Sequence, residues 1–141
     1  APVWLHLGIG NIFRIFMGGI ADQLIRQGAM DRGILCAETF DYEIVDRIFN
    51  PHDNLALGVI LHGDGTEERR VLGSMAEAVK AKWDEPESWE RLKEIFCDPG
   101  LQMVSFTITE KGYGLTKTDG TYTEMVQKDM ENGPQRAVPW Q

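Results

Sequence analysis

Cysteine is scarce: Cys36 and Cys97 stand alone, far apart, in no CxxC pair. That excludes a disulfide scaffold or a zinc ribbon and makes a reducing, cytoplasmic setting the expectation. Positive charge is also short. Fourteen Lys and Arg against 22 Asp and Glu leave a net charge of −8, whereas binding a phosphate backbone calls for a basic surplus, so no nucleic-acid partner is expected. No apolar run approaches the ~18 residues of a membrane span, and no basic stretch followed by an apolar one suggests a signal peptide. The three histidines, His6, His52 and His62, lack metal-ligand spacing, so no metal site is expected. No Gly-x-Ser-x-Gly elbow marks a serine hydrolase. Methionine is absent until Met17, inside the first expected helix, so the chain is expected to be an excised piece of a longer protein.

What is present is ordinary globular composition, 43% hydrophobic and 26% charged, in 141 residues with room for one domain. Val3–Leu7 is a short apolar strand that runs into Gly8-Ile9-Gly10. From Asn11 to Gln27, Ile12, Phe16, Ile20 and Leu24 recur every four residues, and Phe13 and Met17 widen the stripe. That period predicts an amphipathic helix with its stripe toward the core. Gly33 to Thr39 gives a second strand, apolar at Ile34-Leu35-Cys36-Ala37 and ending at Glu38. Asp41 caps a short helix in which Ile44/Ile48 and Val45/Phe49 pair. Leu55–Leu61 and Arg69–Leu72, joined by Asp64-Gly65, predict a β-hairpin. Pro86 opens a helix closed by Asp98-Pro99-Gly100, and Leu101–Thr109 is another strand. Beyond Glu110 the chain is polar, with little periodicity. The alternation predicts an α/β, Rossmann-like fold, with a mostly parallel sheet, covering helices and an inserted hairpin, in an incomplete domain.

Two places carry chemistry. The first is Gly8-Ile9-Gly10-Asn11, between a strand and a helix, where one glycine permits a tight turn and the next a close approach of backbone amides to a pyrophosphate. Phe13 stands where the full fingerprint has its third glycine. Glu38 ends the second strand 28 residues after Gly10, where an acid can accept the ribose hydroxyls of NAD and repel the 2′-phosphate of NADP. The second is the strand end Thr107-Ile108-Thr109-Glu110-Lys111-Gly112-Tyr113, which gathers an acid, an amine and a phenol where open sheets bind ligands. From these residues alone, a dehydrogenase, an S-adenosylmethionine-dependent methyltransferase and a non-catalytic nucleotide-sensing module all stay open.

The stretch from Val104 to Tyr113 resembles the Thr-Glu-Lys/Gly-Gly-Tyr signature of the mannitol dehydrogenase family, the long-chain polyol and sugar-acid dehydrogenases that include fructuronate reductase (D-mannonate oxidoreductase). Leu7 to Arg14 resembles the family's Gly-x-Gly-x-Phe-x-Arg opening. Residues 50–55 and 73–78 are similar to the stretches that flank its hairpin. Ile12, Ile15 and Phe16 depart from the family's usual Phe and Ala-His.

The resemblance implies that residues 1–141 are an N-terminal NAD(P)-binding domain, truncated before a helical substrate domain. It implies NAD as cofactor, a polyol or sugar acid as substrate, and no membrane. Gly8, Gly10, Asn11 and Arg14 would then serve the phosphate loop and Glu38 the ribose. Glu110 and Lys111 would lie beside the active site, with Lys111 in place of a glycine leaning toward sugar-acid members. The family's Lys-x-x-x-x-Asn-x-x-His is absent: none of the six lysines has Asn five residues on, and all three histidines precede the first lysine.

Overall fold

The computed structural model describes residues 2–133, with the side chains of Glu110 and Lys111 outside the description. Four strands form one fully parallel sheet: β1 (Trp4–Leu7), β2 (Ile34–Glu38), β5 (Met75–Lys80) and β6 (Met103–Phe106), in the order β5-β2-β1-β6. β1 pairs with β2 through Leu5–Leu35, His6–Cys36 and Leu7–Ala37, and with β6 through Leu5–Val104 and His6–Ser105. The hairpin, β3 (Ala56–Leu61) and β4 (Glu67–Leu72), forms its own two-stranded antiparallel sheet. Strands succeed one another outward from β1 to β5, and β6 then lies on the opposite side of β1. The crevice between β1 and β6 is therefore the topological switch point, where open α/β sheets bind ligands.

Strand alternation gives the sheet two apolar faces. Ile34, Cys36 and Met75 pack with Ile9, Phe13, Ala21, Val45 and Phe49 on one side. Leu5, Leu35, Ala37 and Val79 pack with Leu92 and Ile95 of α2 (Pro86–Cys97) on the other. The result is a helix–sheet–helix layering, with Pro86 in the first turn of α2 as its missing N–H allows.

The first helix corrects the expected burial. Ile12, Phe16 and Ile20 face solvent at 75%, 66% and 46% exposure, while Phe13 and Ala21 are fully buried. Phe13–Met17 is a π-helical turn that precedes α1 (Gly18–Arg26). The buried row of Phe13 and Ala21 keeps the same spacing as the exposed row and lies one position along from it. Gly18 sits against the sheet, its carbonyl accepting from the Ser74 hydroxyl at 2.7 Å.

Two elements are additions to the sequence reading. β5 is built from Met-Ala-Glu-Ala-Val-Lys, which is poor in β-formers, and it becomes a strand because β2 offers it a hydrogen-bonding edge. The polar stretch holds α3 (Glu124–Asn132), capped by the Thr123 side chain accepting from the Val126 amide. No helix among the described residues is long and apolar enough to cross a membrane.

Candidate functional site

A cleft of about 430 Å³ opens beyond the carboxyl ends of β1, β2 and β6, within the range of small-molecule sites. Gly8, Gly10 and Asn11 form its floor. Glu38, Thr39, Phe40 and Asp41 form one wall, and Thr107, Ile108 and Thr109 the other.

The floor is held rigidly. Gly8 has φ +91°, and a Cβ placed there would lie 2.8 Å from the Thr107 carbonyl oxygen and 2.9 Å from its hydroxyl. Only glycine lets β1 leave the sheet this close to β6. The Gly8 amide donates to the Ala37 carbonyl (2.9 Å), and its carbonyl accepts from the Thr107 hydroxyl (2.8 Å). The Ile9 amide donates to Glu38 Oε2 at 3.0 Å, and the Ile9 carbonyl accepts from the Arg14 guanidinium at 3.4 Å. Arg14 also donates to Asn11 Oδ1. Gly10 is the contrast: a Cβ there would meet nothing within 4 Å, so its bare backbone faces open space at the head of a helix. Helix-head amides have no carbonyl of their own helix to bond and favour an anion.

Glu38 is buried, and its role is richer than a strand-end charge. While Oε2 takes the Ile9 amide, Oε1 takes the Thr39 and Phe40 amides, each at 3.0 Å. A carboxylate has about four acceptor directions, so three are spent on backbone and one remains. Asp41, exposed on the same wall, adds a second carboxylate. Arg14 is turned toward the far side of the loop, where it lines a smaller recess with Asn11, Ile48 and His52. Burial lowers its pKa and the charge of Glu38 opposes that shift.

Under the floor lies a polar chain centred on His6. His6 is fully buried, its ring stacked on Phe13 at 4.1 Å and 9°. Nδ1 lies 2.8 Å from the Ser105 hydroxyl and Nε2 3.4 Å from that of Thr107. Trp4 Nε1 donates to the Ser105 hydroxyl at 2.7 Å. Burial pushes the His6 pKa down to about 4, against an opposing hydrogen bond to the Gly8 backbone. Phe13 thus fills the third-glycine position with a ring that covers His6. Ser105 on β6 and Thr107 just past its end were the available signal for this polar chain.

The structure brings Gly8, Gly10, Asn11 and Glu38 to one cleft, with Arg14 behind its floor. Glu110 and Lys111 fall in a 3-10 turn (Glu110–Tyr113) that follows the cleft wall, and their side chains lie outside the described residues. Among the described residues, no three His, Cys, Asp or Glu come together as a metal site would need.

No protein-family profile matches the chain. It is 45% identical over 133 residues to a D-mannonate oxidoreductase of Thermotoga maritima, across 94% of this chain and 24% of that protein. A mannitol 2-dehydrogenase of Pyrenophora tritici-repentis is 30% identical over 112 residues, 77% of this chain and 19% of its own. Among solved structures, a D-sorbitol dehydrogenase in substrate-free form matches 97% of the chain and 28% of its own with a TM-score of 0.75 at 25% identity. The mannitol 2-dehydrogenase of Pseudomonas fluorescens, solved with NAD and D-mannitol, shares the fold, with a TM-score of 0.76 at 23% identity, over 97% of this chain and 28% of its own. The chain spans about a quarter of the length of these relatives. The chain belongs to the mannitol dehydrogenase family and corresponds to the N-terminal part of its members.

Proposed function

We propose that the chain is the cofactor-binding part of an NAD-dependent oxidoreductase that interconverts a polyol or sugar acid, of the mannitol or D-mannonate type, with its keto form. The observation that carries this reading is the glycine loop at the switch point, locked on one side by Glu38 and on the other by Thr107, with Gly10 left bare. NAD, when bound, supplies the hydride chemistry at C4 of its nicotinamide. The chain's own part is to bind and orient. The helix-head amides from Gly10 to Phe13 suit a pyrophosphate. Arg14 holds the loop in shape through Ile9 and Asn11.

The Glu38 and Asp41 wall suits ribose hydroxyls, which donate, and disfavours a 2′-phosphate, which brings two negative charges toward two more. That supports NAD over NADP. Glu110 and Lys111, following the other wall, would border the nicotinamide and the sugar. Residues 1–141 would form one cofactor domain of a longer protein whose other part brings the substrate site. A cytoplasmic setting fits two unpaired thiols, of which Cys36 is buried in β2 with its pKa raised by desolvation.

Calorimetric titration of the chain with NADH, NADPH and S-adenosylmethionine tests the reading. NADH should bind tighter than NADPH, and S-adenosylmethionine should not bind. Binding of S-adenosylmethionine without NADH would restore the methyltransferase alternative, to which the relatives give no support. Binding of NADH by the longer protein without turnover of any polyol or sugar acid would favour the sensing module.

A further inference from the structure

The hydrogen bonds beneath the cleft run in one direction only. Indole Nε1–H can only donate, so the Ser105 hydroxyl accepts from Trp4 at 2.7 Å. At the other end the Gly8 carbonyl can only accept, so the single hydroxyl proton of Thr107 is spent on it at 2.8 Å. With that proton committed, Thr107 Oγ1 meets the His6 ring as an acceptor, and the proton between them sits on His6 Nε2. A neutral imidazole carries one N–H, so Nδ1 is bare and accepts the Ser105 proton at 2.8 Å. The other tautomer leaves Nε2 bare against a Thr107 hydroxyl whose proton is already spent, a buried acceptor without a donor.

The geometry points to a one-way relay, Trp4 to Ser105 to His6 to Thr107 to Gly8, that holds His6 as the neutral Nε2–H tautomer and makes His6 and Thr107 positioning residues for the glycine loop. The relay bridges β1 and β6 across the switch point and ends on the carbonyl that opens the loop. The Gly8–Ile9 peptide group, bound by its oxygen to Thr107 and by its Ile9 amide to Glu38 Oε2, cannot rotate. Its carbonyl dipole therefore stays committed to β6 and does not face an anion on the floor of the cleft. The value of the relay for NAD rests on the cofactor reading above, while its direction rests on hydrogen-bond chemistry alone.

Two measurements on the 141-residue chain test it. Nitrogen-15 NMR of the His6 ring should show Nδ1 as the unprotonated nitrogen and Nε2 as the protonated one. A protonated Nδ1 overturns the relay whether or not any cofactor binds. Calorimetry should find NADH affinity about 5- to 30-fold weaker in Thr107→Val, the scale of one or two lost hydrogen bonds. Thr107→Ser, which keeps the hydroxyl, should restore it. Equal affinity in Thr107→Val and the parent removes the positioning role. A parent chain that binds no NADH strikes the cofactor reading, and the positioning role with it, and leaves the tautomer to decide the relay. If Thr107→Val fails to fold, Thr107→Ser and the ring nitrogens of the unsubstituted chain still give the answer.

Discussion

Replacing Glu38 by Gln keeps the side-chain volume and exchanges one acceptor oxygen for an NH2 group. The parent carboxylate serves three backbone amides, with Ile9 on one oxygen and Thr39 and Phe40 on the other. Glutamine cannot serve both sets. With its oxygen toward Thr39 and Phe40, its NH2 faces the buried Ile9 amide, donor against donor. The orphaned amide costs about 1–3 kcal/mol, and the two surviving bonds lose their charge assistance, about 1 kcal/mol each. The total is roughly 3–5 kcal/mol, which for a domain of this size lowers Tm by roughly 10 °C or more. The release of Ile9 frees the floor of the cleft, so NADH affinity should fall at least about tenfold, or 1.4 kcal/mol. Asp41→Asn is the control: on the exposed wall it should move Tm by less than about 2 °C while narrowing the preference for NADH over NADPH. Thermal unfolding by circular dichroism and calorimetric titration supply the two readouts. A Glu38→Gln chain that melts with the parent and binds NADH equally would refute the three-amide clamp as an element of the site.

Gly8→Ala should cost about 3 kcal/mol or more, because a Cβ at φ +91° meets the Thr107 backbone at 2.8 Å; urea unfolding measures it, and a neutral substitution contradicts the close approach of β1 and β6. Phe13→Ala should cost about 3–5 kcal/mol, while Phe16→Ala on the exposed row should stay within about 1 kcal/mol; the reverse order would restore the stripe expected from the period. His6 gives a pH dependence of known sign. Its folded pKa of about 4 lies below the ordinary 6.5, so the unfolded chain binds the extra proton between those values. Stability contributed by neutral His6 is complete above pH 6.5 and is lost as pH falls toward 4, by about 3 kcal/mol in all. The difference in unfolding free energy between the parent and His6→Asn, followed from pH 7 to 4, should shrink by that amount. The chain alone should turn over neither fructuronate, mannonate, fructose nor mannitol with the cofactor, since no Lys-x-x-x-x-Asn-x-x-His occurs in it; turnover that survives repurification and vanishes in Lys111→Ala would overturn this.

The strands β1, β2 and β6, the hairpin and α2 were legible because each is written locally, in apolar runs, a turn signal at Asp64-Gly65 and a proline at a helix start. The glycine loop and Glu38 were legible for the same reason, as residue types at a strand end whose chemistry is fixed wherever they stand. Local pattern could not say which side of the first helix is buried. A row of period four names a face but not its partner, and the sheet took the neighbouring row of Phe13 and Ala21. Nor could it find β5, whose alanines, glutamate and lysine become a strand only where the β2 edge supplies hydrogen bonds. The double duty of Glu38 and the relay through His6 join residues about 30 and 100 positions apart in sequence. Such bonds exist only once the sheet order β5-β2-β1-β6 has set β1 between β2 and β6. Residue types placed the candidate loop and acid at the strand ends, and tertiary hydrogen bonding decided how rigidly the floor of the cleft is held.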